Sequence, residues 1–178
     1  MVRAAVDWAV QMHGDQRREL DHAPFVLHPL EVASLLNGRG FDDEVVAAGA
    51  LHDIVEKTAA RVEDVADRFG ARVASIVAAV SEDESIADYE LRKATLRERA
   101  CAAGVEARAI YAADKISKAR ELRARAAHDP TLLQEPRTRL LLAHYDASLK
   151  ALRASPDAHP MVDQLEFELW ALRALPPQ

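Results

Sequence analysis

The stretch "AAGALHDIVEK" at residues 47–57 decides the fold, because it places His52 and Asp53 side by side within an apolar helical run. Aspartate has low helix propensity, and burying a carboxylate without a partner costs free energy. A divalent cation would offset that cost, since imidazole nitrogens and carboxylate oxygens both ligate such ions. Glu56 follows one helical turn after His52, so we expect it to border the same site.

Two further segments carry matching ligands. The segment "FVLHPLEVA" at residues 25–33 supplies His28 directly before a helix-starting proline, and "IYAADKISKAR" at residues 110–120 supplies Asp114 within a mostly apolar run. Two imidazoles and two carboxylates form a mixed set that suits Mn²⁺, Fe²⁺ or Zn²⁺ and is poor for Ca²⁺. We therefore expect His28, His52, Asp53 and Asp114 to hold one divalent metal, with Mn²⁺, Fe²⁺ and Zn²⁺ all suitable.

Each of these residues taken alone has a simpler structural explanation. A histidine at a helix start often hydrogen-bonds to the backbone, and Asp114 could form an ion pair with Lys115 or Arg120. A single His–Asp dipeptide also occurs often by chance. The three segments together, in this order and all in apolar surroundings, favour the metal site.

The composition predicts an all-α protein. Of the 178 residues, 49% are hydrophobic and 29% are charged, only 6 are glycine and 5% are aromatic, a mixture that favours packed helices over sheet or disorder. No alternation typical of strands or hairpins is present. We expect one all-helical domain over residues 1–178, with roughly eight or nine helices, the last of them within residues 156–178.

Charge and cysteine content restrict the function classes. The net charge is −6 with both signs interspersed, so no basic face predicts nucleic-acid binding. Cys101 is the only cysteine, which excludes an internal disulfide and favours a reducing compartment. No apolar signal core or membrane-spanning stretch is present. We expect a cytoplasmic protein with neither a nucleic-acid nor a membrane partner.

Several motifs together resemble one known family. The runs "HGDQRR", "APFVLHPLEVASLL", "DDEVVAAGALHDIVEK" and "YAADKISKARELR" resemble the HD-domain phosphohydrolases, specifically the branch of Rel/Spo-type alarmone hydrolases. The resemblance is strongest over residues 1–150. It implies an all-helical HD fold, a single Mn²⁺ held by His28, His52, Asp53 and Asp114, and hydrolysis of the 3′-pyrophosphate of guanosine tetra- or pentaphosphate, (p)ppGpp.

The resemblance also implies roles for residues around the metal. Arg18 matches the family arginine that packs against the nucleotide base. Glu56 matches the first acid of a Glu–Asp pair that handles protons during attack, so Glu56 and the adjoining ligand Asp53 are the candidate catalytic residues.

Four positions depart from the family pattern. Lys57 replaces the second acid of the pair, and Lys118 replaces an asparagine near the ribose. Glu19 and Glu84 each stand where the family carries a lysine. We interpret Lys57 and Lys118 as substrate-binding cations that offset the two lost lysines.

These departures leave alternatives open. The favoured interpretation is hydrolysis of (p)ppGpp or a related phosphorylated purine nucleotide. One alternative is a catalytically weakened nucleotide-sensing module, because loss of a proton-handling group commonly lowers a rate by about 10²–10⁴-fold. Another is an HD nucleoside-monophosphate phosphatase.

Other residues receive structural predictions. On the last helix, Phe167, Trp170 and Leu172 are expected in the core, with a homodimer contact as the alternative. The remaining histidines are expected at the surface or at helix ends: His13, His22, His128, His144 and His159.

Overall fold

A computed structural model describes residues 1–19, 21–156 and 160–174. Within these ranges the chain forms ten α-helices and one 3₁₀ helix, and no β-strand, only an isolated bridge between Arg17 and Pro24. The prediction of an all-α fold is confirmed. In chain order the helices are α1 (Val2–His13), α2 (Leu27–Asn37), α3 (Asp43–Leu51), α4 (Ile54–Lys57), α5 (Val62–Phe69), α6 (Ala71–Val80), α7 (Tyr89–Ala102), α8 (Val105–Ala126), the 3₁₀ helix (Pro130–Gln134), α9 (Pro136–Ala154) and α10 (Pro160–Arg173).

The helix that was expected to contain the His–Asp pair is interrupted. Helix α3 ends at Leu51 and α4 begins at Ile54, so His52 and Asp53 lie at the junction rather than in a helix interior. The predicted position was therefore wrong, and the break adds one short helix to the number expected. On a continuous helix, neighbouring side chains diverge by about 100°. The break allows both side chains to turn toward one point.

Helix α8 forms the centre of the fold. It packs against α2, α3, α6, α7, α9 and α10, and its apolar side chains meet those of its neighbours in one main core. Leu36, Leu51, Ile110, Ile116 and Leu165 are fully buried there. The largest free-energy gain on folding comes from burying such side chains, each worth about 1.5–3 kcal/mol. Because α8 contacts so many helices, its polar side chains are brought near residues that are distant in sequence.

Gly49 allows α2 and α3 to approach each other closely beside the site. A Cβ atom at this position would overlap a methyl group of the fully buried Leu36 and lie 3.6 Å from the Ala33 Cα. We expect Gly49→Ala to lower the free energy of unfolding by about 1–3 kcal/mol, although alanine is the better helix former. Guanidinium denaturation measures this change. Ser34→Ala, at an exposed position of α2, is the control and should not destabilise the protein; unchanged stability of Gly49→Ala would contradict the packing argument.

The last helix packs against α8 through only one of its faces. Leu165, Leu169 and Leu172 are buried at helical spacing. Phe167 and Trp170 lie on another face, with 56% and 62% of their surface exposed and ring centroids 5.8 Å apart. The expectation that all three apolar residues lie in the core was right for Leu172 and wrong for the two aromatic residues. A homodimer contact at this face stays a prediction.

Candidate metal centre and adjoining cavity

Four side chains from three parts of the chain meet beside α8. His28 comes from α2, His52 and Asp53 from the α3–α4 junction, and Asp114 from α8, and each is 5% exposed or less. The Nε2 atoms of the two histidines lie 3.2 Å apart. Asp53 Oδ2 is 3.4 Å from both of these nitrogens, and Asp114 Oδ1 is 3.0 Å from that of His28 and 3.6 Å from that of His52. The structure thus brings together all four ligands expected from the sequence.

Hydrogen bonds on the far side of each ring orient the two imidazoles. His52 Nδ1 lies 2.8 Å from the Gly49 carbonyl oxygen, which only accepts, so this nitrogen carries the proton. His28 Nδ1 lies 2.9 Å from Ser117 Oγ, whose own proton is donated to Glu31. His28 Nδ1 therefore donates as well. In the neutral rings, both Nε2 atoms present a lone pair to the same point, as metal-binding histidines do.

The converging atoms fit a divalent cation. The two Nε2 atoms lie 3.2 Å apart and 3.0–3.6 Å from the two carboxylate oxygens, separations at which their lone pairs repel one another unless a cation lies nearby. Asp53 Oδ2 is buried without a hydrogen bond in the described part of the chain, whereas Asp114 Oδ1 is buried with the ammonium group of Lys118 beside it. Neighbouring ligand atoms that are each about 2.1 Å from one ion show separations of this size. The spacing and the chemistry of the donor set both suit such an ion.

Two lysines on α8 flank the carboxylate of Asp114, one of the four expected ligands. Lys118 Nζ lies 2.7 Å from Asp114 Oδ1, and Lys115 forms an ion pair with Asp114 Oδ2. Burial alone would raise the pKa of Asp114, but the charges of Lys115 and Lys118 hold that pKa well below its usual range. Burial likewise acts against ionisation of Asp53, whose pKa is nevertheless held low, mainly by His52 when its ring is protonated and by the charge of Lys118. Both carboxylates are therefore ionised at neutral pH.

Lys118 should reduce the affinity of the centre for a metal, because its ammonium group competes for Asp114 Oδ1. We expect Lys118→Asn to raise the affinity for Mn²⁺ by about tenfold, since a positive charge next to a ligand atom is removed. Competition with a fluorescent chelator measures this affinity. Lys150→Asn, at an exposed position of α9, should leave it unchanged. Equal affinities of Lys118→Asn and the unmodified protein would show that Lys118 does not compete.

A cavity of about 900 Å³ lies beside Asp114: the four ligands do not line it, but Lys115 and Lys118, which pair with Asp114, do. Its wall carries equal numbers of basic and acidic side chains among the described residues. The basic ones are Lys57, Arg92, Lys93, Lys115, Lys118 and Arg137. The acidic ones are Glu19, Glu56, Glu82, Glu84, Glu121 and Glu135. The chain departs from the family pattern at four positions, and all of them lie on this wall: Glu19, Lys57, Glu84 and Lys118.

Glu56 and Lys57 line the cavity and belong to α4, which begins directly after the ligand Asp53. Glu56 accepts a hydrogen bond from the Glu82 backbone N–H, and burial, followed by the charge of Asp53, raises the pKa of Glu56. Lys57 is exposed, and its carbonyl oxygen accepts a hydrogen bond of 2.6 Å from Gln16. The lysine that replaces the family's second acid thus lies at the edge of the cavity, outside the ligand cluster.

Arg18 is held in place by two acidic side chains. Its guanidinium group forms two contacts with Asp21 and lies 3.7 Å from Glu121, which lines the cavity. The guanidinium plane is therefore fixed beside the cavity wall, where a flat group could stack on it. Its expected contact with a nucleotide base stays a prediction.

One residue of the cavity wall, His144, was predicted in the wrong environment. His144 is only 7% exposed and lines the cavity, so its predicted place at the surface or a helix end was wrong. The sequence does carry a signal for the burial of His144. This histidine lies beside Tyr145, and Ser148 and Leu152 follow at helical spacing, so these residues form one buried stripe of α9. His13 is buried but is the last residue of α1, a helix end as predicted, and His22 and His128 are exposed as predicted. His159 lies outside the described residues.

Comparison with known proteins places the chain in a family. A family model of the HD domain matches residues 5–138. The chain belongs to the HD-domain family. The human guanosine-3′,5′-bis(diphosphate) 3′-pyrophosphohydrolase MESH1 is 36% identical to it over 121 residues, which cover 66% of this chain and 67% of the human protein. The Xenopus tropicalis enzyme of the same name is 33% identical over 126 residues, which cover 69% of this chain and 70% of that protein. The Aquifex aeolicus protein of the same enzyme name is 38% identical over 81 residues, but the match spans only 12% of its length.

Solved structures of similar proteins support the same assignment. A metazoan ortholog of SpoT, described as hydrolysing ppGpp and having a role in starvation responses, superposes with a TM-score of 0.82 at 28% identity, covering 98% of this chain and 96% of that one. The Listeria monocytogenes protein lmo0812 superposes with a TM-score of 0.74 at 28% identity, covering 84% and 98%. The resemblance inferred from the motifs is confirmed. HD-domain hydrolases use a divalent metal, and His28, His52 and Asp114 form a cluster that can hold one.

Proposed function

We propose that this protein is a metal-dependent pyrophosphohydrolase that removes the 3′-pyrophosphate from (p)ppGpp or a related phosphorylated purine nucleotide. The observation that carries the proposal is the convergence of four buried ligand atoms beside a cavity with charged walls, in a chain similar to proteins named for this reaction. The coarser assignment, an HD-type hydrolase that acts on a small phosphorylated nucleotide, follows from the family.

In this proposal His28, His52, Asp53 and Asp114 are the metal ligands. Mn²⁺ is preferred, and Fe²⁺ or Zn²⁺ also suit a mixed nitrogen and oxygen set. A divalent ion held there supplies Lewis-acid polarisation of a phosphoryl oxygen and acidifies water. The Gly49 carbonyl and Ser117 keep the two imidazoles aimed at this point.

Glu56 is the proposed proton-handling residue. One of its oxygens accepts the Glu82 N–H, which fixes the carboxylate on the cavity wall and leaves the other oxygen to receive a proton from the attacking water. The nearby Asp53 favours this transfer, because its negative charge raises the pKa of Glu56. Asp53 thus contributes both as a ligand and by making Glu56 more basic.

The cavity cations are the proposed partners of the substrate phosphates. Lys118 lies next to the metal ligands and Lys57 lies at the edge, so together they could contact both ends of a nucleotide. Arg18 is proposed to stack on the purine. Glu19 forms an ion pair with Arg137 at a distance of 2.7 Å, so one of the two unexpected acids is already neutralised by a cavity cation.

One substrate panel tests this function. The full chain, loaded with Mn²⁺, is offered guanosine tetraphosphate, nucleoside monophosphates and cyclic dinucleotides, and the release of pyrophosphate and of phosphate is followed. We expect pyrophosphate from guanosine tetraphosphate and no product from the others. Phosphate from the monophosphates would instead indicate a nucleoside-monophosphate phosphatase. Calorimetric binding of the tetraphosphate without any product would indicate a nucleotide-sensing module.

Lys57 should limit the rate of this reaction, because it stands where the family carries a second acid. We expect Lys57→Asp to raise kcat for guanosine tetraphosphate by at least about tenfold, part of the range that one proton-handling group supplies. Steady-state kinetics measure this change. Lys57→Asn is the matched control, since it removes the positive charge without adding an acid. An equal gain in both variants would show that the lysine charge, and not the missing acid, lowers the rate.

The remaining parts of the proposal concern the whole chain. No helix among the described residues is long and apolar enough to cross a membrane. We propose that residues 1–178 form a single domain that works in the cytoplasm.

A further inference from the structure

His144 is a buried polar residue that the proposed reaction does not use. It lies on α9 with 7% of its surface exposed, and neither ring nitrogen has a hydrogen bond in the described part of the chain. Burying an imidazole without a partner costs free energy, so most buried polar groups are paired. His144 lines the cavity, where a ligand could supply the missing partner.

The groups around His144 are mainly basic. Burial lowers the pKa of His144 to about 2, and the next largest contributions come from the positive charges of Lys115 and Lys93. Lys93 comes from α7 and Lys115 from α8, and both line the same cavity. Three helices therefore bring two ammonium groups and one neutral imidazole to one part of the wall.

Each lysine is positioned by its own contacts. Lys93 forms an ion pair with Glu82 and lies 5.4 Å from the centroid of the Tyr89 ring. Lys115 pairs with Asp114 and lies 4.3 Å from the centroid of the Tyr111 ring. Both ammonium groups are thereby held at the wall of the cavity. The neutral imidazole adds one N–H donor that is not used within the described structure.

We propose that His144, with Lys93 and Lys115, binds a phosphoryl group of the nucleotide. The imidazole N–H donates a hydrogen bond to a phosphoryl oxygen, and the two ammonium groups neutralise its charge. This inference rests on the proposed function and deepens it, because it assigns a specificity residue to a position that does not contact the metal ligands. The phosphoryl group belongs either to the 5′ end of the nucleotide or to the 3′-pyrophosphate that is released.

Calorimetry on the Mn²⁺-loaded full chain tests the site with three probes: guanosine 5′-diphosphate, inorganic pyrophosphate and guanosine. We expect His144→Phe to weaken the binding of at least one phosphorylated probe by about tenfold, the equivalent of one lost hydrogen bond, and to leave guanosine unaffected. The affected probe identifies which phosphoryl group is bound. His144→Gln retains an N–H donor and should keep most of the affinity, whereas His128→Gln, at an exposed position, should change nothing.

The His144→Phe substitution, which should weaken binding, should stabilise the protein in the absence of ligand. Without ligand, His144→Phe removes an unpaired buried polar group, so we expect its Tm to rise by about 2–4 °C. Unchanged affinity for both phosphorylated probes would overturn the proposal, and so would a lower Tm combined with weaker binding of all three probes. None of the probes is a substrate of the proposed reaction. Absence of guanosine tetraphosphate turnover with intact probe binding would therefore reject the function and leave the phosphoryl site standing.

Discussion

Asp53→Asn is expected to abolish metal binding and to lower turnover of guanosine tetraphosphate by at least about 10³-fold, the equivalent of roughly 4 kcal/mol of lost charge stabilisation. Asp53 Oδ2 lies 3.4 Å from both imidazole Nε2 atoms and has no hydrogen bond in the described structure. Asparagine keeps the shape of the side chain but removes its negative charge. Elemental analysis after loading with Mn²⁺, together with steady-state kinetics, measures both effects.

Two controls accompany this variant. Asp67→Asn, at an exposed position of α5, should retain one metal per chain and full turnover. Circular dichroism should show the same helix content in both variants, because the amide fits where the carboxylate was. If Asp53→Asn kept its metal and its activity, Asp53 could not be a ligand, and the proposed centre would have to be rebuilt from the other residues.

Glu56→Gln should lower kcat by about 10²–10⁴-fold and leave the metal content unchanged. Glutamine can still accept the Glu82 N–H, so the wall of the cavity keeps its shape. It cannot receive a proton from water, which is the function proposed for Glu56. Kinetics with guanosine tetraphosphate, combined with elemental analysis, separate this loss from a loss of metal.

The pH dependence gives a second test of Glu56. A base must be ionised to act, and burial and Asp53 raise the pKa of Glu56. We therefore expect kcat/KM of the unmodified protein to fall as the pH drops through this raised pKa. The residual activity of Glu56→Gln should lack this acidic limb, the decrease of kcat/KM at low pH. Glu63→Gln, at an exposed position of α5, should retain the limb. If the Glu56→Gln variant showed the same decrease of kcat/KM at low pH, a group other than Glu56 would be responsible for that decrease.

Much of the fold could be predicted because its signals are local. Gly70 directly follows the helix Val62–Phe69 and Gly104 directly precedes the helix Val105–Ala126, so the sequence itself carries local signals for these two bounds. Local patterns could not predict the break between Leu51 and Ile54. That break depends on α3 packing against α2 at Gly49 and on the hydrogen bond from His52 back to the Gly49 carbonyl.

The sequence by itself determined the helical class and the identity of the four candidate ligands, because apolar periodicity and ligand chemistry are properties of the residues. The ion pair of Lys118 with Asp114 also follows from local spacing, since the two residues lie four apart on α8. Only the tertiary structure decided that Lys93 of α7, Lys115 of α8 and His144 of α9 line one cavity, because these three helices pack around one space. Packing between helices far apart in the chain fixes such distances, and no local pattern of residues records them.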